Sequence, residues 1–150
     1  MQCALREIDS SKRRLPAGDA ALVAQCDIIE RRLFPKHESL TGQLEREAMK
    51  RSQTMVVAVV DGSSAVGYMI VSRTGHIVKL AVAAAAQRNG VGRWLLRWAR
   101  SRYQTLSLHV DPERHAAVAL YRSEGFTAHG QICDYYCDGR HALLMRLDRC

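Results

Sequence analysis

Residues 55–60, MVVAVV, form an uninterrupted β-prone run, and the Asp61-Gly62 dipeptide turns the chain into a second one, AVGYMIVS at 65–72. These two runs predict an antiparallel hairpin. A third strand, HIVKLAV at 76–82, follows Thr74-Gly75. The period then changes. From Gly90 onward Val91, Leu95 and Trp98 line one helical face with Trp94 beside them, while Arg93, Arg97 and Arg100 occupy another. This helix is expected to run to about Tyr103.

Upstream, ALREID at 4–9 reads as a first strand. After Pro16, Ala17 and Gly18, Asp19 is expected to cap a helix whose apolar residues Leu22, Cys26, Ile29 and Leu33 recur at helical spacing. It should end at Phe34, because Pro35 follows. A second, more polar helix is expected from Ser39, its cap, to about Arg51. Downstream, TLSLHV at 105–110 alternates as a strand, and Asp111-Pro112 has the N-cap and Pro-at-N1 signature of a helix that Gly125 stops. Residues 126–137 and 141–147 supply two more strands around the Asp138-Gly139 turn. The order β-α-α-β-β-β-α-β-α-β-β describes an α/β domain with a mixed sheet.

With 150 residues, 47% hydrophobic and 25% charged, the chain has the size and composition of one soluble globular domain, residues 1–150. Disorder and collagen-like repeats are excluded. No stretch approaches the roughly 18 apolar residues of a membrane span, and the charges of MQCALREIDSSKRR stand where a signal peptide needs an apolar core. A cytoplasmic location with no membrane partner is expected. The cysteines Cys3, Cys26, Cys133, Cys137 and Cys150 are odd in number and suit a reducing compartment. Cys133 and Cys137 lack a CxxC partner and an HxxxH, so they read as small buried strand residues and no metal site is expected.

The formal net charge is +7, and no acidic residue lies between Gly62 and Val110. That segment holds Arg73, Lys79, Arg88, Arg93, Arg97, Arg100 and Arg102, while the rest of the chain balances. Such a concentration favours a polyanionic ligand, whether a phosphorylated cofactor, nucleic acid or an acidic peptide. The excess of arginine over lysine offers genome composition as a second source. Dedicated nucleic-acid binding is the weakest reading, since neither a helix-turn-helix pattern nor an RNP-like aromatic pair is present.

Between the third strand and the amphipathic helix lies QRNGVG, residues 87–92. Glycines there let the backbone approach a ligand, and the helix N-terminus directs N–H groups and partial positive charge at a phosphate. Arg88 and Arg93 would reinforce it. The segment matches neither GxxxxGK[ST] nor GxGxxG. Farther on, HVDPERHAAVALYRSEGF carries the pattern A-x-x-LY-x-x-x-GF as Ala117, Leu120, Tyr121, Gly125 and Phe126. Together the two blocks resemble the [QR]-x-x-G-x-[GA] loop and second helix of the GNAT superfamily of acetyl-CoA-dependent N-acetyltransferases, and the resemblance spans essentially the whole chain. RRLFPKHES is similar to the Phe-Pro loop of RimI-type protein N-terminal acetyltransferases. DYYCDGRHALLMRLD resembles their Tyr-Tyr pair and closing hairpin. Two residues depart from that subgroup: Arg114 stands where Asn is frequent, and His76 where some members have a catalytic Tyr.

The resemblance implies a GNAT fold, a mixed central sheet of about six to seven strands flanked by about four helices. It implies transfer of acetyl from acetyl-CoA to an amine by direct attack in a ternary complex. The expected acceptor is a protein or peptide N-terminus; the alternative is a small amine such as a polyamine or an aminoglycoside-like cation. A polycation would call for clustered carboxylates, for which Glu38, Asp134 and Asp138 are available. By the same resemblance, the backbone of Leu80, Ala81 and Val82 would hold the oxyanion and pantetheine. Gln87, Arg88, Asn89, Gly90, Val91, Gly92 and Arg93 would take the phosphates, with Arg114, Ala117 and Tyr121 completing the cofactor site.

His109 is the first expected base and His76 the second. An α-amine with a pKa of about 8 needs only a neutral histidine acting through water. Tyr121 would protonate the departing thiolate, whose pKa is about 8.5. The other four histidines are expected to be structural. Phe34, Pro35, Tyr135 and Tyr136 would form the acceptor wall. Adjacent strand residues face opposite ways, so both tyrosines reach it only from an irregular strand. The basic helix face is compatible with ribosome association.

Overall fold

A computed structural model describes residues 2–36 and 38–148 of the chain. Seven strands make one sheet in the order β1-β2-β3-β4-β5-β7-β6. They are β1 (Cys3–Glu7), β2 (Gln53–Val60), β3 (Ser64–Ser72), β4 (His76–Val82), β5 (Thr105–Val110), β6 (Thr127–Cys137) and β7 (Arg140–Asp148). The helices are α1 (Ala17–Leu33), α2 (Leu44–Ala48), α3 (Val91–Arg102) and α4 (His115–Ser123), with a 3₁₀ turn at Ala84–Ala86. All pairings are antiparallel except β4 with β5. The mixed α/β architecture expected from the sequence is the one observed.

The uninterrupted apolar run in β2 follows from its position between two cores. Met55, Val57 and Val59 point to a core with Leu22, Val23, Cys26 and Ile29 of α1. Val56 and Ala58 point to the opposite core with Leu95, Leu96 and Ala99 of α3. Period-two alternation on a strand covered on both faces demands apolar residues at every position.

Two irregularities shape β4. Its register against β3 shifts between Ile70 and Val71, from Ile70 opposite Lys79 to Val71 opposite Ile77, which leaves Val78 as an extra residue. Its parallel ladder with β5 comprises two pairs, His76 with Ser107 and Ile77 with Leu108. Both strands continue beyond that point unpaired with each other.

Several local expectations are corrected. The first strand ends at Glu7 rather than at residue 9. Asp19 does not cap α1, which begins at Ala17. Its buried carboxylate instead pairs with Arg6 at 2.6 Å and accepts the Asp9 N–H at 2.9 Å, tying the exit of β1 to the helix. The second helix shrinks to Leu44–Ala48 because Ser39 Oγ accepts the Thr41 N–H and the Glu30 carboxylate takes the Leu40 N–H. Side-chain partners there compete with a helical backbone. The last helix starts at His115 because Asp111 accepts the Glu113 N–H and binds Arg140. Cys133 and Cys137 are exposed, not buried, because β6 is an edge strand with solvent along nearly its whole length. His37 and Cys150 lie outside the described residues.

The turn into β4 is tightly determined. Gly75 has φ +89°, and a Cβ there would lie 2.0 Å from the Thr105 carbonyl oxygen. The variant Gly75→Ala should lose about 2–3 kcal/mol of stability, read as a lower urea midpoint at unchanged slope.

Candidate active site

The site begins where β4 and β5 part. The Ala83 N–H donates to Val66 O at 2.8 Å, so alternate residues back along β4 direct their backbone groups at β3. Leu80 and Val82 therefore direct theirs to the other edge, past the end of the β5 ladder. Gln87 Nε2 donates to Val82 O at 3.0 Å on that side. A cleft of about 1190 Å³ opens there, lined by β4, β5, the start of α3 and one face of α4.

At the α3 end of the cleft, Gly90 is the N-cap with φ +81° and Arg88 has φ +68°. The Trp94 N–H to Gly90 O bond, 2.9 Å, is the first of the helix. The N–H groups of Val91, Gly92 and Arg93 consequently have no intrahelical acceptor. Close packing sets this end down on the sheet. A Cβ on Gly67 would lie 2.9 Å from Ala81 O and 3.1 Å from Val91 Cγ1, and one on Gly92 would lie 3.0 Å from Leu120 Cδ2. An open strand edge leading to a helix N-terminus fits an extended, phosphorylated thioester carrier.

At the junction of β4 and β5, aromatic rings are stacked in series. His76 and His109 have centroids 5.0 Å apart, His109 stacks on Tyr135 at 4.9 Å, and Tyr135 meets Tyr136 edge-on at 4.9 Å. His76 Nδ1 is 2.8 Å from Ser107 Oγ. His109 Nδ1 is buried without a hydrogen-bond partner among the described residues. Burial lowers the pKa of both histidines from 6.5, and for His76 the neighbouring His109 adds to the effect. Burial thus favours the neutral form of both imidazoles. Tyr121 is buried on α4 against Phe126, and burial pushes its hydroxyl up to about 12, against the nearby Arg114 charge. It keeps its proton across the physiological range.

Both tyrosines reach the cleft because β6 is irregular. Its register shifts between Ile132 and Cys137, and Asp134 sits at φ +53° while accepting the Gly139 N–H. Phe34 lines the same cleft. Lys79 Nζ lies 3.6 Å from its ring centroid and the Arg114 guanidinium 4.7 Å. Arg114 also donates to Glu38 at 2.8 Å, so its side chain is directed to the Phe34 segment. Arg93 is drawn to Glu124 and Ser123 rather than to the glycine loop.

Most of the residues singled out in the sequence line this cleft: His76, His109, Tyr121, Phe34, Tyr135 and Tyr136 all do, as do Leu80, Ala81, Val82, Gln87, Arg88, Gly90, Val91, Gly92, Arg93, Arg114 and Ala117. Pro35 and Asn89 do not. His115, expected to be structural, does line it. Sequence reasoning also missed Glu30, whose spacing from Cys26, Ile29 and Leu33 puts a carboxylate on an apolar helix face. The expected basic surface is interrupted: Arg93 and Arg97 pair with Glu124, and Arg102 with Glu7. Among the described residues no cluster suited to a metal ion occurs, and no helix is long and apolar enough to cross a membrane.

The family model for the acetyltransferase (GNAT) domain matches residues 24–148. The chain belongs to the GNAT acetyltransferases. It is 31% identical over 134 residues to the N-alpha-acetyltransferase RimI of Mycobacterium tuberculosis, covering 83% of this chain and 85% of that one. Membership makes it an acetyl-CoA-dependent N-acetyltransferase. Its fold is shared with the ribosomal-protein-S18-alanine N-acetyltransferase from Escherichia coli, at a TM-score of 0.76 and 22% identity over 98% of this chain and 94% of that one. An aminoglycoside 6'-N-acetyltransferase complexed with coenzyme A shares it too, at 0.73 and 17% over 97% and 96%. The GNAT cleft described above depends on the close contact at Gly92. Gly92→Val should weaken acetyl-CoA binding about tenfold in a calorimetric titration, because the added methyl groups drive Leu120 and the α3 N-terminus apart.

Proposed function

We propose that this enzyme acetylates the α-amino group of protein or peptide N-termini. The observation that carries the reading is the ring series His76–His109–Tyr135–Tyr136 lining the same cleft as Phe34, a wall suited to a peptide backbone. Nearby carboxylates are already matched with cations: Glu38 with Arg114, Glu30 with Lys79 and Asp111 with Arg140. Such a wall has little charge to offer a polyamine or an aminoglycoside. The 31% identity to a RimI protein supports the same acceptor class. A cytoplasmic enzyme meeting nascent chains at the ribosome fits this reading.

Acetyl-CoA supplies the acetyl thioester when bound along the open edge of Leu80 and Val82 and the N–H groups of Val91, Gly92 and Arg93. His109 accepts the proton of the α-ammonium, directly or through water, since it lines the cleft and burial favours its neutral form. His76, held by Ser107, is the second base and sets the polarity around His109. Tyr121, holding its proton up to about pH 12, donates at the sulfur end of the cleft. Leu80, whose N–H is directed to the cleft side of β4, donates to the acetyl oxygen as negative charge develops on it.

Mass spectrometry after incubation with acetyl-CoA, peptides with free or blocked N-termini, and spermidine tests the acceptor class. Acetylation confined to free N-termini is expected; transfer to spermidine alone would replace the reading with the small-amine one. His109→Ala and Tyr121→Phe should each lower kcat by about 100-fold with little change in acetyl-CoA affinity. Because the folded His109 pKa lies below 6.5, the wild-type rate should fall as pH drops through that region. A pH–rate profile of His109→Ala should lack this acid limb.

A further inference from the structure

Beneath Phe34 lies a buried ion pair whose partners reach the Phe34 segment from both sides. Glu30 is fully buried on α1, and its carboxylate meets three donors. These are Lys79 Nζ at 3.1 Å, the Leu40 N–H at 3.0 Å and the Tyr68 hydroxyl of β3. Lys79 projects from β4, immediately after the extra residue Val78, with its side chain 11% exposed. Its ammonium donates to Glu30 and, at 2.9 Å, to the backbone oxygen of Glu38, and it faces the Phe34 ring. Among the described residues, the pair's hydrogen-bonded and cation–π contacts outside the sheet and α1 are with Phe34, Glu38 and Leu40.

Taking two charges out of water costs free energy, and a well-packed apolar pair of the same volume stabilises a fold as well or better. The pair therefore has something to specify. A segment without regular structure between α1 and α2 has few backbone bonds of its own to fix it. Here a carboxylate takes one of its N–H groups, an ammonium takes one of its carbonyl groups, and the same ammonium holds its aromatic side chain.

Resting on the acceptor assignment above, we infer that Lys79 and Glu30 are positioning residues that fix the wall residues Phe34, Glu38 and Leu40 against β4 and so set acceptor affinity. Neither is a catalytic residue. Lys79 does not donate a proton to substrate, because its ammonium is already shared among Glu30, Glu38 O and Phe34. Its contribution is to hold the wall at one distance from the His109–Tyr135 stack, and the loss should appear in the acceptor term.

The test compares Lys79→Met, Glu30→Gln, the charge-balanced double variant Lys79→Met/Glu30→Gln, and Lys79→Arg. The double variant guards against misfolding, since it leaves no unpaired buried charge. With the peptide that the wild type acetylates, KM for peptide should rise about tenfold in the double variant, with kcat and KM for acetyl-CoA changed less than about threefold. Lys79→Arg should recover part of the loss. Hydrogen exchange of the Leu40 amide, measured without any acceptor, should speed up about tenfold while the α3 and β5 amides stay protected. An unchanged Leu40 amide, or a loss confined to kcat, would overturn the inference. If the wild type acetylates no free N-terminus, the acceptor reading fails alone, and the exchange result still decides the positioning role.

Discussion

The early end of the β4–β5 ladder is the constraint on which the site depends. Two residue pairs hold these parallel strands together, and beyond Leu108 the strands are no longer paired with each other. An unpaired edge inside a sheet is costly unless something else bonds to it. Here Gln87 Nε2 takes the Val82 carbonyl, and the cleft opens along the rest of that edge. The bulge at Val78 lies just past the last pair, so the change of course in β4 and the opening of the cleft occur at one place. The glycines then bring the surrounding elements in: Gly67 admits Val91 over β3, and Gly92 admits Leu120 beside α3.

The Phe34 side of the cleft is organised by charge rather than by backbone pairing. Glu30 with Lys79, Glu38 with Arg114, and Asp111 with Arg140 link α1, β4, α4, the end of β5 and the start of β7. Burial works to raise the Asp111 pKa, but its hydrogen bonds with Arg140 and the Glu113 N–H bring it below the usual value. The pairs are arranged around an apolar ring, Phe34, that two of the cations touch. The resulting wall is polar in composition but close to charge-balanced.

Much of the fold was legible locally. The hairpin of β2 and β3, the helix from Val91 to Arg102 and the strand of β5 followed from period and turn residues. The misread boundaries share one cause. Asp19, Ser39 and Asp111 have the composition of helix caps, yet their side chains bond Arg6 and the Asp9 N–H, the Thr41 N–H, and the Glu113 N–H and Arg140. A local pattern specifies which residues can cap, whereas long-range partners such as Arg6 and Arg140 decide whether they do. Cys133 and Cys137 were misjudged for a related reason: whether a strand is central or at an edge is a property of sheet order, not of its own residues.

The residues proposed for the chemistry stand in the sequence as types and spacings. QRNGVG before a helix, A-x-x-LY-x-x-x-GF after a strand, and histidines at 76 and 109 all stand in the sequence, because a glycine loop and a helical face are encoded over a few residues. The sequence also anticipated that Tyr135 and Tyr136 could share one cleft only from an irregular strand. Tertiary structure alone decided the rest. It stacked His109 on Tyr135, joined Glu30 to Lys79 across 49 positions and Glu38 to Arg114 across 76, and turned Arg93 away from the glycine loop. Contacts between residues so far apart depend on sheet order and on where β4 leaves β5, and neither is written in any local stretch of the chain.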